Sequence, residues 1–138
     1  MTGDYKFYTE LKVRYEETDA MSVVYYGKYL VFFEVARTEY LKNIGYKYTD
    51  IEKEGFYFVV AESNCRYYSP ARYDDDLKIF TKIEYIKNSS FNFIYDIFKS
   101  GLKIASGNTV LVCIDKNDFK PRRIPEYLRK AICDFEGY

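Results

Sequence analysis

Hydrophobic and polar positions change rhythm several times along this chain, and each rhythm predicts an element. From Tyr5 to Glu17 they alternate, with Leu11, Val13 and Tyr15 on one side and Lys12, Arg14 and Glu16 on the other, the period of a half-buried strand. Leu30, Phe33, Arg37, Tyr40, Leu41 and Ile44 then recur at helical spacing, and Phe32, Val35 and Ala36 widen the apolar face. A helix from near Gly27 to about Ile44 follows, with Gly45 as its stop. Thr49 or Asp50 caps a short second helix near Ile51 to Glu54, closed by Gly55. Strand signals come next over Phe56 to Tyr68, Asp75 to Ile86, Phe91 to Lys99 and Leu102 to Asp115. Ser69-Pro70 breaks the first of these, Ser100-Gly101 turns the third into the fourth, and Gly107 marks a bulge or close approach. A short terminal helix over Glu126 to Cys133 completes the pattern.

The order is one strand, one long helix and then four strands in meander-like succession. It predicts an α+β fold, with an antiparallel sheet of about five strands wrapped around one long central helix. A helix this apolar needs cover on most sides, and the outer sheet face is left to solvent or to a second subunit. At 138 residues the chain is expected to form one domain, 1–138, and 48% apolar residues are too many for disorder. Lys+Arg and Asp+Glu both number 21, so no global basic field points to nucleic acid. No apolar run is long enough to span a bilayer, and the start MTGDYKFYTE lacks a basic region followed by an apolar one. No membrane insertion, no signal peptide and a cytoplasmic location are the expectations. Cys65, Cys113 and Cys133 are widely spaced and form neither a metal nor a disulfide pattern. The 17 Tyr and 11 Phe mostly alternate within strand-like runs, which reads as core packing before base stacking.

Histidine is absent, which excludes Ser-His-Asp and Cys-His pairs and the usual His-containing zinc sites. Acid–base chemistry must come from Asp, Glu, Lys, Tyr or Cys. The stretch YEETDAMSVVYYGKYLVFFEVARTEYL, from Tyr15 to Leu41, sets a lone carboxylate, Asp19, just before the N-terminus of a largely buried helix. Free N–H groups and the positive end of the helix dipole gather there. Asp19 has two readings: a turn or N-cap aspartate, or a carboxylate that attacks a carbonyl or activates water while N–H groups hold the oxyanion.

The same residues resemble the 4-hydroxybenzoyl-CoA thioesterase-like acyl-CoA thioesterases, which have the hotdog fold. Three stretches carry the resemblance: YEETDAMSVVYYGKYLVFFEVAR, YYSPARYDDDLKI and KNSSFNFIYDI, in that order over roughly residues 8 to 115. The resemblance implies a thioester hydrolase with no metal and no bound cofactor, working as a homodimer or homotetramer with active sites at the subunit interface. Asp19 falls on the family's catalytic aspartate, as nucleophile or general base. Tyr26 falls on the position whose backbone N–H faces the thioester carbonyl; one large subgroup has His there, the hydroxybenzoyl-type members Tyr. Ser22 stands where many members have Gly, and Lys28 replaces a common Asn.

Further residues are assigned more loosely. The edge corresponding to Lys87, Asn88, Ser89 and Ser90 meets the CoA phosphates of the neighbouring subunit in that family, although these residues also read as a plain hairpin turn. Arg72 and Arg66, near the SPARYDD bend, are further phosphate candidates, whereas Arg122 and Arg123 read as solvated. Tyr25, Tyr29, Phe33 and Phe58 are core candidates first; lining an acyl pocket, they would favour an aromatic or medium acyl group. Glu17, on the same strand side as Asp19, is placed for like-charge repulsion with it. Glu34 and Arg37, three apart on the helix, are expected to pair, with water positioning by Glu34 as the second reading. The function expected is hydrolysis of a small, medium-chain or aromatic acyl-CoA. The alternative is a non-catalytic hotdog that binds acyl-CoA or an acyl carrier protein; a hotdog hydratase is disfavoured by the missing His.

Overall fold

A computed structural model describes residues 4–138, so the first three residues of the start read above for a leader lie outside it. The chain runs β1 (Tyr8–Lys12), α1 (Lys28–Asn43), α2 (Tyr48–Lys53), β2 (Phe56–Tyr67), β3 (Asp76–Ile86), β4 (Ser90–Lys99), β5 (Leu102–Asp115) and α3 (Glu126–Glu136), with a 3₁₀ turn over Tyr15–Glu17. The five strands form one antiparallel sheet in the order β1-β3-β4-β5-β2. Its concave face wraps α1, as expected for a hotdog fold.

Helix α1 sits in the sheet by aromatic packing. Phe33 stacks on Tyr95 of β4 with ring centroids 4.1 Å apart, and Tyr40 meets Phe93 edge-on at 5.3 Å. Gly107 is the close approach that the sequence suggested: a Cβ there would lie 2.6 Å from the Phe33 ring and 2.3 Å from the Asn64 carbonyl. Gly45 ends α1 at φ 101°, and the N–H groups of Gly45 and Tyr46 close on the Lys42 and Leu41 carbonyls. Leu30 and Val35, expected on the buried stripe, are 42% and 39% exposed, with Val31 beside them at 42%. Helix α3 runs three residues beyond the expected Cys133, and Glu136 near its end accepts hydrogen bonds from the Tyr40 hydroxyl and the Ile83 N–H.

Two expectations about the strands are corrected. The first strand stops at Lys12, because Glu17 turns back to accept the Arg14 N–H at 2.7 Å and the chain tightens into the 3₁₀ turn. The later strands are not a simple meander either. Strands β3, β4 and β5 are consecutive neighbours, but β2 pairs with β5 at the far edge. The segment between β2 and β3 must therefore cross the sheet. It docks on the way, where the Val24 N–H donates to the Ala71 carbonyl at 2.8 Å. That crossing arm meets the turn before α1, and the two together form the cleft described next.

Candidate active site

Asp19 stands at the head of a tight turn. Thr18 and Val24 make an antiparallel bridge, the Asp19 N–H donates to the Val23 carbonyl at 2.9 Å, and Ser22 donates back to the Asp19 carbonyl at 2.9 Å. The Asp19 Oδ1 accepts the Met21 N–H at 2.8 Å. This is an Asx turn, the first of the two readings of Asp19. It also fixes the carboxyl group while Oδ2 accepts no hydrogen bond among the described residues. Ser22 completes the turn at φ 65°, a left-handed backbone that glycine adopts without strain.

Helix α1 begins beside this turn. The Tyr25, Tyr26 and Gly27 carbonyls accept N–H bonds from Lys28, Tyr29 and Leu30 at 2.9, 3.3 and 3.3 Å. The N–H groups of Tyr26 and Gly27 donate to no acceptor among the described residues, as the open end of a helix requires. Asp19, half-buried, and Tyr26 line one open cleft of about 350 Å³, walled opposite by Tyr67 at the end of β2 and by Tyr68 and Pro70 of the crossing arm, and floored by Tyr29. An anchored carboxylate and the residue of an unpartnered N–H donor, Tyr26, on one aromatic cleft suit attack on, and charge stabilisation of, a carbonyl group.

Not every residue singled out in the sequence reaches this cleft. Tyr25 donates its N–H to the Glu17 carbonyl at 2.9 Å and lays its ring beside Tyr26, 4.7 Å between centroids, outside the cleft wall. The Tyr26 hydroxyl holds the Tyr25 phenol above its ordinary pKa. Arg72 lies on the arm two residues past Pro70; its N–H binds Asp75 Oδ2 at 2.7 Å and its side chain is exposed. Arg66, between inward-facing Cys65 and Tyr67, falls on the outer face of the sheet. Lys87, Ser89 and Ser90 form the β3–β4 hairpin, where Lys87 donates to the Ser90 carbonyl and Ser89 accepts from Cys113, both at 2.7 Å. The cleft borders β5 at Ala105, opposite Tyr67. The hairpin therefore sits eight residues further along that strand, on the order of 26 Å at ~3.3 Å per residue. One protomer does not bring the hairpin to Asp19.

The expected charge arrangements are corrected too. Glu17 is 5% exposed, and its carboxylate faces the Arg14 N–H and guanidinium, so the like-charge arrangement with Asp19 is not formed. Glu34 and Arg37 do not pair. Both line an open groove between α1, α2 and β2, but Glu34 is exposed there while the Arg37 Nη1 reaches inward and donates to the Tyr95 hydroxyl and Thr109 Oγ1, each at 3.3 Å. Tyr67 and Tyr68 were missed as cleft residues; their one signal was position, directly before the Ser69-Pro70 break. Among the described residues no group of His, Cys, Asp and Glu side chains could hold a metal ion, and no helix is long and apolar enough to cross a membrane.

With fold and cleft in place, comparison with known proteins defines the class. Residues 13–132 match the family described as "Thioesterase-like superfamily". The chain is 38% identical over 117 residues to the Acyl-CoA thioester hydrolase YbgC of Escherichia coli O157:H7, covering 84% of this chain and 87% of the relative. It is 35% identical over 127 residues to the Putative acyl-CoA thioesterase YneP of Bacillus subtilis, covering 91% and 89%. The solved structure of the DHNA-CoA thioesterase from Staphylococcus aureus superposes with a TM-score of 0.90 at 34% identity, over 94% of this chain and 90% of that one. The chain belongs to the thioesterase-like superfamily and carries its hotdog fold.

Proposed function

We propose that Asp19 is the reacting carboxylate for the thioester of a small, medium-chain or aromatic acyl-CoA, as nucleophile or as general base. The activity is that of an acyl-CoA thioesterase, releasing free acid and CoA. The observation that carries the residue assignment is the pairing of an uncommitted Asp19 Oδ2 with the unpartnered Tyr26 N–H on one cleft. As nucleophile, the carboxylate oxygen bonds to the acyl carbon, the C–S bond breaks, and the thiolate of CoA leaves and takes a proton. Water then cleaves the anhydride and restores Asp19. As general base, Asp19 takes a proton from water while the water oxygen attacks, and returns that proton to the leaving thiolate. In both routes the Tyr26 N–H, at the positive end of α1, holds the oxyanion. Neither route calls on a metal or a bound cofactor.

The working unit we propose is a homodimer or homotetramer in the cytoplasm, with the site completed at the subunit boundary. Two features support it. Leu30, Val31 and Val35 on α1 and Val60 on β2 are exposed in one protomer, and β2 is a twelve-residue edge strand with no strand paired to its free side among the described residues. The Lys87–Ser90 hairpin, a proposed phosphate site along with Arg72, also reaches an Asp19 only from another copy.

The test is release of free thiol from benzoyl-CoA and from acyl-CoAs of two to twelve carbons, beside Asp19→Asn. Wild type is expected to turn over at least one of them and Asp19→Asn to lose roughly a thousandfold or more in kcat, as removal of a reacting group does. Unchanged turnover in the variant would refute the assignment of Asp19.

A further inference from the structure

Tyr67 ends β2 paired with Ala105, and its ring packs edge-on against buried Tyr29, centroids 5.0 Å apart. Its hydroxyl donates to the Tyr26 carbonyl at 3.0 Å. This is a tertiary bond between the end of a strand and the first turn of a helix. It is also the shorter of the two bonds that carbonyl accepts, the other coming from the Tyr29 N–H at 3.3 Å.

The peptide unit it grips has a particular use. A peptide is planar and trans, so its C=O and its N–H point in opposite directions. Holding the Tyr26 carbonyl along the helix therefore holds the next N–H, that of Gly27, pointing back out of the helix N-terminus. The preceding peptide is held in the same sense by Lys28, which donates to the Tyr25 carbonyl at 2.9 Å and so sets the Tyr26 N–H. Both N–H groups are without an acceptor among the described residues; Tyr26 lines the cleft with Asp19, and Gly27 is the next residue of the same helix end. We propose that the Tyr67 hydroxyl is a positioning group for the oxyanion site, fixing the Tyr26–Gly27 peptide so that the Gly27 N–H acts as a second donor beside that of Tyr26.

Two properties suit the role. Donation into a carbonyl polarises the peptide and makes its N–H a stronger donor, so the bond tunes as well as aims. An ordinary phenol is already protonated throughout the neutral range, and burial pushes that of Tyr67 further up, to about 12, so the hydroxyl stays a donor. Neither effect needs contact between Tyr67 and substrate. The role rests on the proposed function above, because it assumes an oxyanion at this helix end.

Tyr67→Phe keeps the ring against Tyr29 and removes only the hydroxyl. Thiol release from benzoyl-CoA, or from whichever acyl-CoA wild type turns over best, is expected to fall roughly tenfold to a hundredfold in kcat. That is less than the ~10²–10³ lost when a donor is removed outright. KM should stay within about twofold, the acid limb of the kcat–pH profile should coincide with that of wild type, and the melting temperature should be nearly unchanged. Wild-type kcat in Tyr67→Phe, with Asp19→Asn inactive, would overturn the positioning role and leave the hydrolase assignment standing. A raised KM at constant kcat would also overturn it, making Tyr67 a binding residue. A drop in kcat matched by a shifted pH limb would overturn it by showing that Tyr67 acts on Asp19. If Asp19→Asn retains full activity, it is the underlying site assignment that fails.

Discussion

The Arg37 guanidinium lies 3.3 Å from the Tyr95 hydroxyl and is 8% exposed, yet no carboxylate balances it among the described residues. Its Nε has no hydrogen-bond partner among them. The Tyr95 and Thr109 hydroxyls it meets also bond each other at 3.0 Å, so they do not depend on the arginine for satisfaction. A buried cation supported only by neutral groups contributes through the packing of its stem more than through charge.

Arg37→Met is therefore expected to keep wild-type stability within about 1 kcal/mol or to exceed it, as buried charges replaced by apolar groups of similar volume often do. Arg37→Ala should cost about 2–4 kcal/mol by leaving a cavity. Urea denaturation of the two variants checks this, and equal large losses in both would show that the charge itself is required.

Asp75 anchors the crossing arm that walls the cleft. It accepts the Arg72 N–H at 2.7 Å and pairs with Lys99 at 2.9 Å. Partial burial opposes ionisation, but these two partners win and hold its carboxyl below the ordinary value. A carboxyl depressed on folding adds stability above its unfolded pKa of ~3.9 and loses it as pH falls through the folded value. The stability gap between wild type and Asp75→Asn is expected to be constant from pH 5 to 8 and to close below about pH 4. A gap that widened toward acid would contradict the sign.

Ser22 carries a left-handed backbone in the turn that holds Asp19. Ser22→Gly should relieve strain of about 1 kcal/mol, partly offset by the greater entropy that glycine loses on folding. The expected net change in thermal stability is small and positive, with Asp19-dependent turnover preserved. A clear loss of activity would show that the serine side chain, not the turn geometry, is what the site uses.

Gly107→Ala should be among the most damaging conservative changes in the chain. The added Cβ meets a backbone carbonyl at 2.3 Å and the Phe33 ring at 2.6 Å, and the Phe33–Tyr95 stack leaves that ring little room. A loss of about 3 kcal/mol, the upper end for overpacking, is expected in chemical denaturation.

Much of this was legible along the chain, for local reasons. Helix α1 could be bounded because its apolar residues repeat at the helical period and Gly45 supplies the left-handed stop. Strands β3 and β4 could be bounded because Leu77, Ile79, Thr81 and Ile83 alternate in the one and Phe91, Phe93, Tyr95 and Ile97 in the other. Alternation failed at Tyr15–Glu17, where a short-range hydrogen bond from Arg14 to Glu17 outcompeted the strand. Helical spacing placed Glu34 and Arg37 three residues apart but could not show that Arg37 turns inward to Tyr95.

By itself the sequence determined the elements, the lone acid ahead of a helix, the absence of histidine chemistry and, through its three motifs, the family. Those depend on residue type and on spacings of a few residues, which local hydrogen bonding and burial read directly. Only the tertiary structure decided that β2 lies beside β5, that its outgoing arm crosses to Val24, and that Tyr67 reaches the Tyr26 carbonyl 41 residues away. Periodicity tells a strand which face to bury but not which strand to lie against, and the cleft exists only where that choice folds one segment over another.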